Sequence, residues 1–129
     1  MASIRRSIVV DAPAERVWEK LREAGQVVDL FPGVLTASRM EGASRVVTFA
    51  NGMVVREYIV DIDDDGRRIV YAAVDAGFTH HNGAMQIVPE TGTTSRFVWI
   101  SDFLPDEARA GVEPLIDQGT ASFAARWAR

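Results

Sequence analysis

The chain has 129 residues, of which 47% are apolar and 25% charged, and it contains no cysteine. These values are typical of one globular domain, and they exclude disulfides, thiolate nucleophiles and cysteine-ligated zinc. The formal net charge is -4 and the only lysine is Lys20. Because nucleic-acid binding needs a basic surface, we expect no nucleic-acid partner.

Targeting signals are absent from the pattern. The apolar run after Arg5 and Arg6 is interrupted at Asp11, which is too short for a signal peptide. No apolar stretch approaches the roughly 20 residues of a membrane span. We therefore expect a single domain over residues 1–129, no stable membrane insertion and a cytoplasmic location.

The first predicted element is a strand over residues 4–10, which ends before Pro13. Proline suits the first turn of a helix, and apolar residues follow at helical spacing. Gly25 is a good stop for that helix, and residues 26–30 predict a second short helix that must end before Pro32. The helical stripe consists of Ala14, Val17, Trp18 and Leu21.

Strands and short turns fill the chain from Leu35 to Phe103, so consecutive strands are expected to pair antiparallel. Asn51-Gly52 predicts a two-residue type I′ hairpin turn, and Asp64-Asp65 predicts another tight turn. The clearest strands cover residues 46–50, 53–62, 68–74, 80–88 and 95–103.

Pro105 opens the final predicted helix, which carries a long apolar stripe. Pro114 interrupts the pattern, so either the helix kinks near Ala110 or the main helix begins at Pro114. The stripe consists of Val112, Leu115, Ile116, Gly119, Phe123 and Trp127. The element order predicts an α+β fold of the helix-grip type. A curved antiparallel sheet of about seven strands wraps around the long C-terminal helix, with one or two short helices after strand 1 and an apolar cavity between sheet and helix.

Hairpin register decides which side chains face that cavity. The two predicted turns place Val47 opposite Arg56 and Tyr58 opposite Tyr71. A slip of one residue would bring Glu57 inside in place of Arg56. The predicted inward set of these strands is Val47, Phe49, Val54, Arg56, Tyr58, Val60, Ile62, Ile69, Tyr71 and Ala73. The last hairpin adds His81, Gly83, Met85 and Ile87 opposite Phe97, Trp99, Ser101 and Phe103.

An apolar pocket with a few converging polar groups is the usual form of a ligand site. The candidate catalytic residues are His81 as a general acid or base, Arg56 as an anchor for a ligand oxyanion, and Tyr58 as a hydrogen-bond donor. The alternatives are a structural histidine, an arginine paired with Glu57 or Asp75, and tyrosines that only pack. The candidate ligand-binding residues are Phe49, Tyr71, Met85, Phe97, Trp99, Ser101 and Ile116.

Metal and cofactor sites are not predicted. His80 and His81 are adjacent on a strand and point to opposite faces, so they cannot chelate one metal. The turn Asp63-Asp64-Asp65-Gly66 lacks the downstream glutamate of a calcium loop. We therefore expect no metal and no cofactor.

Three segments carry a family resemblance. Residues 10–18 (VDAPAERVW), residues 31–34 (FPGV) and residues 94–99 (TSRFVW) resemble the START/birch-pollen-allergen-like superfamily, also called SRPBCC. The resemblance covers the whole chain and is greatest to the bacterial polyketide cyclase/dehydrase-like branch, although Pro114 and the lack of a clear tryptophan directly before Phe31 depart from it. It implies a cavity that binds lipids, polyketides, hormones or other apolar molecules. Some members of the family catalyse cyclisation or dehydration, and others only bind.

The leading functional hypothesis is a binding protein or cyclase-like enzyme for an apolar, aromatic or polyketide-like small molecule. The alternative is a non-catalytic carrier or regulator that works through a partner protein, and a third is a stress-related domain with no dedicated ligand. A monomer or a homodimer is expected.

Overall fold

The computed structural model describes residues 2–74 and 76–128, and it confirms the predicted α+β helix-grip fold. Seven antiparallel strands of the described chain form one sheet in the order β1-β7-β6-β5-β4-β3-β2. The strands are β1 (Ala2–Val10), β2 (Leu35–Glu41), β3 (Ser44–Phe49), β4 (Val54–Asp63), β5 (Arg68–Val74), β6 (His80–Pro89) and β7 (Ser95–Leu104). The helices are α1 (Ala14–Leu21), a 3-10 helix (Ala24–Leu30), a short 3-10 helix (Asp106–Ala108) and α2 (Arg109–Trp127).

Helix α1 follows β1 directly because Pro13 holds an extended backbone at its start and cannot continue the ladder. The four residues of its predicted stripe are all buried. The indole of Trp18 donates a hydrogen bond to Asp64 at 2.9 Å, which ties the helix to the β4–β5 turn. Helix α1 thereby closes one end of the sheet.

Helix α2 packs across the concave face of the sheet. Phe123 is completely buried, and its ring stacks on Phe97 with centroids 3.9 Å apart and planes 11° apart. Gly119 allows this approach, because a Cβ at that position would lie 2.6 Å from Cζ3 of Trp99. The predicted inward direction of Val112, Ile116 and Phe123 is confirmed by their burial.

Pro114 lies inside α2 rather than at its start. The helix begins at Arg109, ahead of the proline, so the alternative in which Pro114 opens the main helix is wrong. The proline removes a single hydrogen bond close to the helix N-terminus. Val112 and Ile116, one on each side of it, are both buried, and α2 is continuous from Arg109 to Trp127.

The β3–β4 hairpin differs from its predicted register by one residue. Its loop has three residues, not two, because the Phe49 amide donates to the Met53 carbonyl at 2.8 Å and the Gly52 amide to the Phe49 carbonyl at 2.9 Å. Gly52 adopts φ of 90°, which fits the left-handed position that follows a type I turn. Val47 therefore pairs with Val55, and Arg56 with Val46.

The shift reverses the faces of β4. The predicted inward positions of Val54, Arg56, Tyr58 and Val60 are wrong, and all four side chains are exposed on the outer face. The β4–β5 hairpin differs too, since Asp63 pairs with Arg68 across a longer turn and an irregularity separates Ile59 from Asp61. The β6–β7 register agrees with the prediction, with His81 opposite Phe103 and Met85 opposite Trp99.

Replacing Phe123 with alanine should lower the free energy of unfolding by about 3–5 kcal/mol, because it removes a fully buried ring from a stacked pair. Urea denaturation of Phe123→Ala and of the parent measures the loss. Gln118→Ala, at an exposed position on the same helix, is the control and should change stability by less than about 0.5 kcal/mol. Equal losses for the two variants would contradict the assigned helix face.

Candidate functional site

A cavity of about 430 Å³ lies between the concave face of the sheet and the N-terminal half of α2. Strands β3 to β7, the longer 3-10 helix and α2 contribute its walls. The lining is mainly apolar and includes Phe31, Val47, Val55, Phe78, Val112 and Leu115. Its volume is in the range of pockets that hold small organic molecules.

Six of the predicted site residues line this cavity: His81, Phe49, Tyr71, Met85, Trp99 and Ile116. Phe97 and Ser101 do not, because both are completely buried behind the cavity wall. Phe97 belongs to the core beneath α2, and Ser101 supports His81 through a hydrogen bond.

Arg56 and Tyr58 lie on the opposite face of the sheet. The Arg56 guanidinium donates to the exposed carboxylate of Glu41 at 2.7 Å, and Tyr58 is 48% exposed. The one-residue register shift at the β3–β4 loop is the cause. The predicted convergence of His81, Arg56 and a tyrosine on one void is therefore wrong for Arg56 and for Tyr58.

Arg45 and Glu57 provide the charged groups that do line the cavity. They are cross-strand partners on β3 and β4, and Nε of Arg45 donates to Oε1 of Glu57 at 2.8 Å. The Arg45 side chain is 2% exposed and that of Glu57 12%. Nη1 of Arg45 also donates to the carbonyl of Ala24 at 3.4 Å, and its guanidinium lies 5.1 Å from the centre of the Tyr71 ring. Opposite charges facing each other across a hairpin are favourable, so this pairing is the sequence signal that favours the observed register.

Tyr71 lies beside this pair, and a glycine makes room for it. A Cβ on Gly83, its partner on β6, would fall inside contact distance of the Tyr71 ring. Nε1 of Trp99 donates to the Tyr71 hydroxyl at 2.9 Å, and no acceptor in the described chain receives the tyrosine's own proton. Burial, assisted by the charge of Glu57, raises the pKa of Tyr71 far above its ordinary value. The phenol therefore stays protonated and can donate to a ligand oxygen.

His81 lies between aromatic rings. The centroid of Phe78 is 4.8 Å away, and those of Tyr71 and Phe103 are 6.2 Å and 6.4 Å away. Nε2 lies 3.1 Å from Oγ of Ser101, while Nδ1 is enclosed without a hydrogen-bond partner in the described residues. Burial is the main reason that the pKa of His81 is lowered, and the neighbouring His80 adds to the effect. The ring is therefore neutral at pH 7, with Nε2 engaged by Ser101 and Nδ1 enclosed.

The family described as polyketide cyclase / dehydrase and lipid transport matches residues 1–128. The chain belongs to this family. No match was found among curated proteins.

Solved structures that resemble this polyketide cyclase/dehydrase family member include an uncharacterised protein from Bacillus thuringiensis, which is 21% identical with a TM-score of 0.88 over 98% of both chains. The di-domain aromatase/cyclase BexL from the BE-7585A biosynthetic pathway is 15% identical, with a TM-score of 0.79 over 98% of this chain and 46% of that one. Norcoclaurine synthase from Thalictrum flavum, in complex with dopamine and hydroxybenzaldehyde, is 18% identical, with a TM-score of 0.72 over 96% of this chain and 84% of that one. At these identities the likeness shows the fold alone.

Among the residues that the structure describes in this family member, no three His, Asp or Glu side chains are grouped so that they could hold a metal ion. Nor does any described helix combine the length and apolarity needed to cross a membrane.

Replacing Gly83 with alanine should lower the free energy of unfolding by about 1–3 kcal/mol, because the new methyl group overlaps the Tyr71 ring. It should also break the Trp99–Tyr71 hydrogen bond, which near-ultraviolet circular dichroism would detect. Gly92→Ala is the matched control, since a Cβ there meets no atom within 4 Å. An unchanged spectrum and stability for Gly83→Ala would show that Tyr71 does not depend on this glycine.

Stability should fall as the pH drops below about 6.5, the ordinary histidine pKa in an unfolded chain. The lowered pKa of His81 means that the unfolded state binds more protons than the folded state in this window, so acidification favours unfolding until the folded-state pKa is passed. Urea denaturation between pH 5 and pH 7.5 measures the slope, which His81→Gln should reduce. His80→Gln, at the exposed neighbouring position, should leave most of the slope intact. The same slope in the parent and in His81→Gln would contradict the assignment.

Proposed function

We propose that this protein binds one apolar small molecule, of aromatic or polyketide-like structure, in the cavity beneath α2. The observation that carries the proposal is a largely apolar space of about 430 Å³ in which three polar residues, Arg45, Glu57 and Tyr71, lie together. Phe31, Phe49 and Trp99 contribute aromatic surface to the lining, which suits a flat, unsaturated ligand. The family's description, which names both polyketide chemistry and lipid transport, supports this class of ligand.

Binding without turnover fits the polar groups better than acid–base catalysis. A general base must reach the proton that it removes. His81 has one nitrogen against Ser101 and the other enclosed, and the carboxylate of Glu57 is held by Arg45. The protein therefore acts as a carrier or a sensor of its ligand.

Cyclase- or dehydrase-like catalysis is the second candidate. It is favoured by the unshared proton of Tyr71 beside the guanidinium of Arg45, because two donors at one place would stabilise an enolate oxygen. Incubating the protein with a 1-(2-hydroxyphenyl)-1,3-diketone, whose phenol can add to the distal ketone and close a six-membered ring with loss of one water, separates the two candidates, because mass spectrometry follows the loss of about 18 Da. Turnover that is abolished by Tyr71→Phe would replace the binding proposal with the catalytic one.

The neutral fluorescent probe N-phenyl-naphthylamine should bind with a stoichiometry of one, measured by fluorescence titration. Gly111→Phe should weaken binding by roughly tenfold or more, because a side chain at this lining position occupies space meant for the ligand. A Cβ at Gly111 meets no atom within 4 Å, so the variant should fold. Ala110→Phe adds the same ring at the adjacent exposed position, outside the lining, and should leave affinity unchanged. No binding, or equal weakening by both variants, would overturn the proposal.

A further inference from the structure

Two ion pairs involve strand β4, one on each face of the sheet. Arg56 and Glu41 form the outer pair, and their side chains are 42% and 39% exposed. Arg45 and Glu57 form the inner pair at the cavity, with 2% and 12% exposure. Water screens the outer pair, whereas the inner pair has exchanged water for a largely apolar surrounding.

The charges that the described residues bring to the cavity are balanced by the inner pair. Among the described lining residues, Arg45 contributes one positive charge and Glu57 one negative charge. Tyr71 remains protonated, and His81 is neutral at pH 7. A charged ligand would therefore lose its hydration in an apolar space where the described lining residues leave no counter-ion for it.

The inner pair and Tyr71 leave both hydrogen-bond donors and an acceptor free for a ligand. Oε1 of Glu57 accepts from Arg45, and within the described chain no donor reaches its second oxygen. Two donors also remain, because no acceptor in the described chain receives a hydrogen bond from Nη2 of Arg45 or from the Tyr71 hydroxyl. One acceptor and two donors thus lie close together. A hydroxyl group, which both donates and accepts, can use all of this capacity without adding charge.

We infer that the polar end of the ligand is an uncharged hydroxyl, which donates to Glu57 and accepts from Arg45 or Tyr71, and that the site discriminates against carboxylates and ammonium groups. This inference rests on the proposed function and names its substrate class. An arginine without a counter-ion in the cavity would favour a ligand carboxylate. Because Arg45 is paired with Glu57, we expect the opposite preference, for a hydroxyl over a carboxylate.

Four competitors that share one ten-carbon chain test the inference. Decanol, decanoate, decylammonium and decane are each used at neutral pH to displace N-phenyl-naphthylamine from the full-length protein. Decanol should displace the probe with an inhibition constant roughly tenfold or more below those of decanoate and decylammonium. Decanol should also bind more tightly than decane, which has no polar end. Decanoate or decylammonium equal to or better than decanol would overturn the inference.

Glu57→Gln sharpens the test, because it leaves Arg45 without its counter-ion. Decanoate should then gain roughly tenfold in affinity relative to decanol, since the ligand carboxylate replaces the lost one. Arg45→Gln should shift the preference toward decylammonium by a similar factor. Glu41→Gln removes the same charge from the outer pair and should leave the order of the four competitors unchanged. Selectivity that is the same in Glu57→Gln and Glu41→Gln would contradict a role for the inner pair.

Loss of a buried partner can prevent folding, so circular dichroism precedes each titration. If Glu57→Gln or Arg45→Gln is unfolded, the four competitors measured on the unsubstituted protein decide the inference by themselves. Failure of the probe and of all four competitors to bind would refute the proposed function. Binding of all three polar competitors with equal affinity would leave the proposed function standing and refute only the hydroxyl preference.

Discussion

The ion pair between Arg45 and Glu57 favours the register in which strands β3 and β4 pair, and this register sets which side chains of β4 point into the cavity. A buried charge is tolerated only with a partner, and these two residues are directly opposite each other in the ladder. Sliding β4 by one residue would turn Glu57 outward, leave Arg45 unpaired, and bring Arg56 inside in its place. The outer pair of Arg56 with Glu41 would be lost in the same movement. Both faces of β4 therefore select one register, and the inner face selects it more strongly because little water is available there.

The sequence predicts the architecture because the signals for it are long and repeated. The helical stripe of α1, the apolar stripe of α2 and the alternation along β6 and β7 each extend over several residues, so one irregular residue does not change them. The β3–β4 register instead depends on whether Ala50 belongs to the strand or to the loop. Asn-Gly fits a two-residue turn and also the end of a three-residue loop, where Gly52 takes the left-handed conformation. Local chemistry does not separate these cases, whereas the buried pair does.

The cavity wall illustrates a second limit of sequence reasoning. Tyr71 and Trp99 are recognisable as inward residues by alternation, and Gly83 and Gly119 are predicted on inward faces too. The sequence does not show which ring each glycine accommodates. Gly83 lies under the Tyr71 ring, and Gly119 lies against Trp99 from the helix side. Each glycine is required by a residue on another element, so its role depends on tertiary packing rather than on a turn. Their positions permit the hydrogen bond between the two rings and thereby expose the tyrosine proton to the cavity.

Side-chain size along α2 explains why the space is where it is. The first half of the helix presents Gly111 to the cavity, together with Val112, Leu115 and Ile116. The second half fills the space beneath it with Phe123, which packs against Phe97 and Phe31, and with Trp127, whose ring lies beside Phe123. The same helix therefore forms a tight core at one end and leaves a void at the other. An unfilled apolar space and a buried charge pair both reduce the stability of a small domain. The closely packed core at the C-terminal end of α2 offsets this loss, so the N-terminal end can keep the cavity open.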